Sequence, residues 1–223
     1  MAQVLVIGAS RGIGLELARQ YMDNGDRVVA TVRQPGDRQA LLALGAAAVH
    51  VVDVSLPQSV SGLAWLLDGE KFDIAWYVPG VLDHLHSTSP PTQQEFDRIM
   101  HTNVLGAMQA LPQVAPMVQA AGGKFAFVSS SMGQVGRVAD DRSWLYRCSK
   151  AALNMAVASA RHGWPGMLLL TMDPGWVRTE MGGSAAPLSV EDCVRGLRAT
   201  LAGAGAADNG QLLHHDGRRA QSW

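Results

Sequence analysis

Tyr146 and Lys150 stand four residues apart in the run Tyr146-Arg147-Cys148-Ser149-Lys150, a spacing that puts both side chains on one face of a helix. A phenol with a pKa of about 10 is a poor proton donor or acceptor at neutral pH. A neighbouring ammonium favours the phenolate, so the pair can move a proton near physiological pH. Alone, such a pair is also a common surface pattern. What adds weight is Ser129-Ser130-Ser131-Met132-Gly133, a hydroxyl cluster directly after an apolar run. Ligands of open α/β sheets bind beyond the carboxyl ends of the strands, so hydroxyls placed there face a crevice.

A second constellation lies near the N-terminus. The apolar run ending at Ile7 continues as Gly8-Ala9-Ser10-Arg11-Gly12-Ile13-Gly14 and then as a helical pattern. Glycines here let the backbone approach a pyrophosphate, which would sit at the helix N-terminus. The spacing is G-x-x-x-G-x-G rather than the commoner G-x-G-x-x-G. A tight turn of a fold that binds no nucleotide is the bland alternative. The second run ends Ala30-Thr31-Val32-Arg33, with no acid until Asp37. An acid at that point favours NAD through the ribose 2′-hydroxyl, whereas an arginine accommodates a 2′-phosphate. Arg33 and Arg11 together therefore point to NADP(H), although a solvated surface role is the usual one for arginine. Asp53, closing the third run, suits either an adenine contact or a strand-terminal turn.

These residues need a scaffold, and the chain supplies one. Apolar runs at 4–7, 27–32, 49–52, 74–78, 125–129, 167–172 and 211–214 alternate with helical patterns at 13–24, 39–44, 58–67, 93–120, 143–162 and 190–201. Near-continuous apolar strands separated by helices predict a parallel sheet covered on both faces. The expected fold is α/β: a single-domain, doubly wound Rossmann sheet of about seven strands flanked by helices, spanning residues 1–223. The stretch 151–160 is small and apolar on nearly every side, so it is expected to pack on the sheet and on a second subunit rather than lie free as an alanine-rich surface helix.

Composition sets limits on function. The 223 residues are 48% apolar and 17% charged, with 18 basic and 19 acidic residues and a net charge of −1. That excludes a disordered tail or a coiled coil and gives no basic stripe for nucleic acid. No apolar run reaches the roughly 18 residues of a membrane span. Two cysteines, Cys148 and Cys193, form no disulfide framework and fit a cytoplasmic chain. His84 and His86 imitate a metal pair, but no ligand cluster supports them. No metal is expected.

Taken together, Gly8–Gly14, Ser129–Gly133, Tyr146–Asn154 (YRCSKAALN) and Asp173–Gly183 (DPGWVRTEMGG) resemble the short-chain dehydrogenase/reductase superfamily over essentially the whole chain. They are most similar to the branch of C-factor and the sniffer-type carbonyl reductases, as are Asp216-Gly217 and the terminal Trp223. The resemblance implies Tyr146 as general acid–base, Lys150 as its partner, and Asn103 as support for a proton-relay water. It implies Ser130 as carbonyl-oxygen ligand, with Ser129 and Ser131 as adjacent alternatives. For NADP(H) it implies Gly8, Ser10, Arg11, Gly12, Ile13, Gly14, Arg33, Asp53, Val54, Gly80, Tyr146, Lys150, Pro174, Gly175, Val177 and Thr179.

Two departures stand out. The family's Thr-Gly is Ile7-Gly8 here, and its Asn-Asn-Ala-Gly is Tyr77-Val78-Pro79-Gly80. Pro79 lacks an N–H and Val78 an amide, so the cofactor contacts there must differ.

The expected function is hydride transfer between NADP(H) and a small-molecule carbonyl or alcohol in a homodimer or homotetramer, with Lys150 lowering the Tyr146 pKa. The alternative is an NADP(H)-binding regulatory or signalling protein with little turnover. Val81–His86, Trp144, Trp176 and 181–187 are expected to line an apolar substrate pocket, with 182–186 ordering when ligand binds.

Overall fold

The computed structural model describes residues 1–221; Ser222 and Trp223, the latter part of the resemblance above, lie outside the described residues. Seven strands form one sheet: β1 (Gln3–Ile7), β2 (Arg27–Val32), β3 (Ala48–Val51), β4 (Ile74–Tyr77), β5 (Lys124–Val128), β6 (Leu168–Asp173) and β7 (Leu212–His214). All pairs are parallel, in the order β3-β2-β1-β4-β5-β6-β7. The strand order reverses between β1 and β4. The loops leaving these two strands therefore border the crevice where doubly wound sheets bind ligands.

Alternate strand residues feed two separate cores. Val4, Val6, Val28, Ala30 and Val32 pack under α1 (Gly12–Asp23), α2 (Arg38–Ala43) and α8 (Val190–Gly203). Leu5, Ile7, Ala75, Tyr77, Phe125 and Phe127 pack on the other face, under α3 (Pro57–Val60), α4 (Leu63–Leu66), α6 (Gly106–Gln119) and α7 (Trp144–Ala160). Residues i and i+2 of a strand share a face, which is why unbroken apolar runs serve a sheet covered on both sides. Lys124, at the start of β5, donates to the carbonyls of Leu201, Ala202 and Ala204 and so closes the C-terminus of α8.

Observed strands agree with the expected runs to within one or two residues. Two helical stretches differ. The 58–67 stretch is two single turns, α3 and α4. The 93–120 stretch is α5 (Gln93–Met100), a five-residue π-helical segment (His101–Leu105) and then α6. Thr92 and Glu95 close a capping box at the start of α5, so its N-terminus is sharply set. The wide turn leaves no mark on a 3.6-residue hydrophobic period, and such bulges gather at functional sites.

Candidate active site

Strand β1 delivers the glycine turn. Gly8 has φ +84 and donates its N–H to Thr31 Oγ1 at 3.1 Å, fastening the turn to the end of β2. A β-carbon on Gly14 would fall 2.1 Å from the Gly8 carbonyl oxygen, so α1 packs this close to β1 only without one. The N-terminus of α1 has no side-chain cap and no acid in its first turn. Its free N–H groups and positive dipole end suit a pyrophosphate. Thr179 reaches across to within 3.5 Å of where a Gly12 β-carbon would stand, so the segment after β6 overhangs the glycine turn.

The charges around the turn are unequally available. Arg33, just beyond β2, is exposed and makes no hydrogen bond or ion pair among the described residues. Arg11 is also exposed, but its guanidinium is paired with Glu180. Asp53 Oδ1 accepts from both the N–H and the hydroxyl of Ser55, at 2.9 and 2.7 Å, which is the turn role. Val54 is buried behind it. The uncapped helix, the glycine turn and Arg33, unpaired among the described residues, together fit a phosphorylated dinucleotide.

The proton-handling groups converge beyond β4 and β5. Ser130 directly follows the strand-end Ser129, and its Oγ accepts the Met132 N–H at 3.1 Å. The same side chain lies close enough to the Tyr146 hydroxyl to draw its pKa down. Ser129 instead bonds Asn154 at 2.6 Å inside the core, and Ser131 opens a short 3₁₀ turn. Of the three adjacent serines, Ser130 is the one that meets the tyrosine. Lys150, on the next turn of α7, is 2% exposed. Its ammonium donates to the Val128 carbonyl at 2.9 Å and lies 5.5 Å from the Tyr146 ring centroid.

The electrostatics correct one expectation. Burial pushes the Tyr146 hydroxyl well above its ordinary value, with the Ser130 bond pulling it partly back and the Asp173 charge adding to the rise. Burial likewise brings Lys150 itself down to about 8, opposed by Asp173. Desolvation disfavours the charged form of each group, and the net shift of the tyrosine is upward. Tyr146 is therefore held as a neutral phenol at neutral pH.

Asn103 sits in the π-helical segment with no exposed surface. Its side chain bonds both backbone groups of Val81, at 2.8 and 2.9 Å, and donates to Ser149 Oγ at 2.9 Å. Gly80, between β4 and Val81, would place a β-carbon 3.4 Å from the Lys150 ammonium. The asparagine thus holds the loop that brings Gly80 against the lysine.

Asp173 and His214, at the carboxyl ends of β6 and β7, form a buried pair at 2.8 Å that the sequence reading did not single out. Burial raises the Asp173 pKa, but the bonds from His214, the Ser131 N–H and the Gly175 N–H outweigh it and leave the carboxyl below its ordinary range. One carboxylate therefore joins the serine turn, the Pro174-Gly175 turn and β7. Val177, nearly fully buried, bridges to Leu188.

The segment expected to await a ligand is already tied. Trp176 Nε1 donates to the Gly182 carbonyl at 2.8 Å, Gly182 N–H to Thr179 Oγ1 at 3.0 Å, and Arg178 to the Ala186 and Pro187 carbonyls. Trp176 itself remains 58% exposed. No three His, Cys, Asp or Glu side chains gather to hold a metal ion among the described residues. None of the described helices is long and apolar enough to cross a membrane.

Comparison with known proteins agrees with this geometry. The chain is 30% identical to 1-hydroxy-2-glutathionyl-2-methyl-3-butene dehydrogenase of Rhodococcus sp. (strain AD45), over 97% of this chain and 98% of the relative. A carbonyl reductase from Pseudomonas aeruginosa PAO1 in complex with NADP superposes with TM-score 0.84 at 29% identity, covering 100% of both chains. An NADPH-bound carbonyl reductase from chicken fatty liver gives TM-score 0.90 at 25% identity, covering 100% of this chain and 99% of its own. The sequence model of the short chain dehydrogenase family matches residues 2–187. The chain, with its seven-stranded parallel sheet and its Ser130–Tyr146–Lys150 cluster, belongs to the short-chain dehydrogenase/reductase family.

Proposed function

We propose that this oxidoreductase transfers a hydride between NADP(H) and the carbonyl carbon of a small molecule, in the reducing direction with NADPH. The observation that carries the reading is the contact between Ser130 and the neutral Tyr146 hydroxyl, with the Lys150 ammonium beneath the ring. Bound NADPH would supply the hydride. Tyr146 gives its proton to the forming alkoxide, and Ser130 donates a hydrogen bond to the same oxygen. Lys150, charged below about pH 8, stabilises the phenolate that remains. Arg33 and Arg11 are the groups for the 2′-phosphate, and the N-terminus of α1 takes the pyrophosphate.

The substrate side is bordered by Val81–His86, Trp144, Trp176 and the segment 181–187. Half-exposed Trp176 and Met181 supply apolar surface for an apolar or aromatic carbonyl compound. The NADP-bound carbonyl reductases described above support the cofactor and the reaction class.

Assembly as a homodimer or homotetramer is supported by the outer faces of α6 and α7. There Met108 and Met155 are 54% and 67% exposed, and Met108 lines a groove with Ala107, Leu111, Ala156 and Ala160. The two free thiols, Cys148 and Cys193, support a cytoplasmic setting.

The test is consumption of NADPH against a panel of aldehydes, ketones and quinones, with NADH in parallel. Oxidation of NADPH by at least one compound, tens-fold faster than of NADH, is expected. A chain that binds NADPH tightly and oxidises it with none of them would instead be a cofactor-binding protein.

A further inference from the structure

We propose that Asp83 is a positioning residue for Tyr146, acting as the N-terminal cap of the catalytic helix from a different part of the chain. The proposal rests on Tyr146 being the proton donor. Helix α7 begins at Trp144 without a cap of its own: Ser143 precedes it in the left-handed region at φ 52, makes no capping bond, and no acid lies in the first turn. Ser143 instead gives its hydroxyl to the Asp83 carbonyl oxygen at 2.7 Å.

The missing cap comes from the loop after β4. Asp83 is 5% exposed. Its Oδ2 accepts the Tyr146 N–H at 2.6 Å and its Oδ1 accepts the Leu85 N–H at 2.8 Å. No arginine, lysine or histidine pairs with it among the described residues. A buried carboxylate needs compensation, and here backbone N–H groups and the positive end of α7 provide it.

The other end of the same residue is held as well. Ser149 donates to the Tyr146 carbonyl at 2.7 Å, and Asn103 donates to Ser149 while clamping Val81, two residues before Asp83. Tyr146 is thus gripped at its N–H by Asp83 and at its carbonyl through Ser149. Both grips lead to the Val81–Asp83 loop that borders the substrate side. The loop sets where the phenol stands relative to Ser130.

The experiment compares wild type with Asp83→Ala, Asp83→Asn and Tyr146→Phe, following NADPH-dependent reduction, NADPH affinity, and hydrogen–deuterium exchange of peptides spanning 144–149. Asp83→Ala is expected to lower kcat 10- to 100-fold, to leave KM and the NADPH Kd within about threefold, and to speed exchange at the Tyr146 amide at least tenfold. Asp83→Asn, whose amide oxygen can still accept that N–H, is expected to retain kcat within about fivefold and most of the protection. The proposal is overturned if Asp83→Ala keeps kcat within twofold or leaves the amide protected. It is equally overturned if Asp83→Asn loses as much kcat as the alanine variant, or if NADPH affinity falls in step with kcat. Should Asp83→Ala fail to fold, Asp83→Asn decides: kcat within about fivefold with the Tyr146 amide still protected supports the proposal, and a loss of tenfold or more overturns it. Full turnover by Tyr146→Phe would instead remove the functional reading, while the exchange result still reports whether Asp83 caps the helix.

Discussion

Pro79 lies directly on Gly8: a β-carbon on Gly8 would fall 2.8 Å from Pro79 Cγ. The strands beneath are in register, Ile7 opposite Tyr77, and the Val78 N–H donates to the Ile7 carbonyl at 3.1 Å. The two places where the chain departs from its family's pattern are therefore one place in space. A proline ring fills the room above the glycine turn, and the apolar Ile7 and Val78 stand at strand ends where the family carries polar side chains.

This contact makes the two positions energetically coupled. Gly8→Ala adds both the 2.8 Å clash and strain at φ +84, so a loss of roughly 2–3 kcal/mol is expected. Pro79→Ala alone should cost less, and in the Gly8→Ala background it should return part of the loss. A double-mutant cycle by chemical denaturation with a coupling of about 1 kcal/mol is the expected outcome. Strict additivity would show that the ring yields without resistance.

Arg33, at the end of β2, is an exposed cation without a partner among the described residues. A charge-assisted bond to phosphate contributes about 1.5–3 kcal/mol, so Arg33→Ala should weaken NADPH about 10- to 100-fold. NADH, lacking the phosphate, should bind as before. Parallel calorimetric titrations check this, and equal losses for both nucleotides would move the 2′-phosphate elsewhere.

Glu180 occupies the guanidinium that the other half of that site requires. Because Arg11 and Glu180 are both largely exposed, their pairing contributes little to stability. It still has to give way for Arg11 to meet an anion. Glu180→Gln is expected to tighten NADPH a few-fold with no more than a degree or so of change in melting temperature, measured by thermal shift with and without nucleotide. Weaker NADPH binding in this variant would show that the carboxylate assists the site.

Lys150 gives a pH dependence with a definite sign. Burial brings it from 10.5 down to about 8, so between these values the unfolded chain holds a proton that the folded chain has released. Stability should rise across that window, and below about pH 8 the buried charge should cost roughly 3 kcal/mol. Lys150→Met removes the charge but leaves the Val128 carbonyl without its donor, a loss of about 1 kcal/mol. At pH 7 this variant should melt a few degrees above wild type while losing at least 100-fold in turnover. Reduction by wild type should decline above about pH 8 as the ammonium is lost. A variant that melts lower than wild type would contradict the burial cost.

Much of this site is legible in the sequence because its parts are local. The Tyr146–Lys150 spacing, the glycine turn between a strand and a helix, and the serines closing β5 each signal their place within a few residues. Strand positions follow from apolar runs that two cores demand. What the sequence conceals is contact between distant segments. Asp83 falls within Val81–His86, a stretch expected to line the substrate pocket, yet it meets the Tyr146 N–H, 63 residues away. Asp173 and His214 meet across 41 residues. Glu180 reaches Arg11 across 169. The sign of the Tyr146 shift was hidden for the same reason, since it depends chiefly on desolvation by the whole fold.

The central claim is that the Tyr146 hydroxyl delivers the proton while the rest of the site binds and orients. Single-turnover oxidation of NADPH by an accepted carbonyl compound, in wild type and Tyr146→Phe, tests it most directly, with the NADPH Kd measured on the same preparations. The expected result is a rate at least 100-fold lower in the phenylalanine variant with the Kd within about threefold. A rate within a few-fold of wild type would contradict the assignment and require another proton donor.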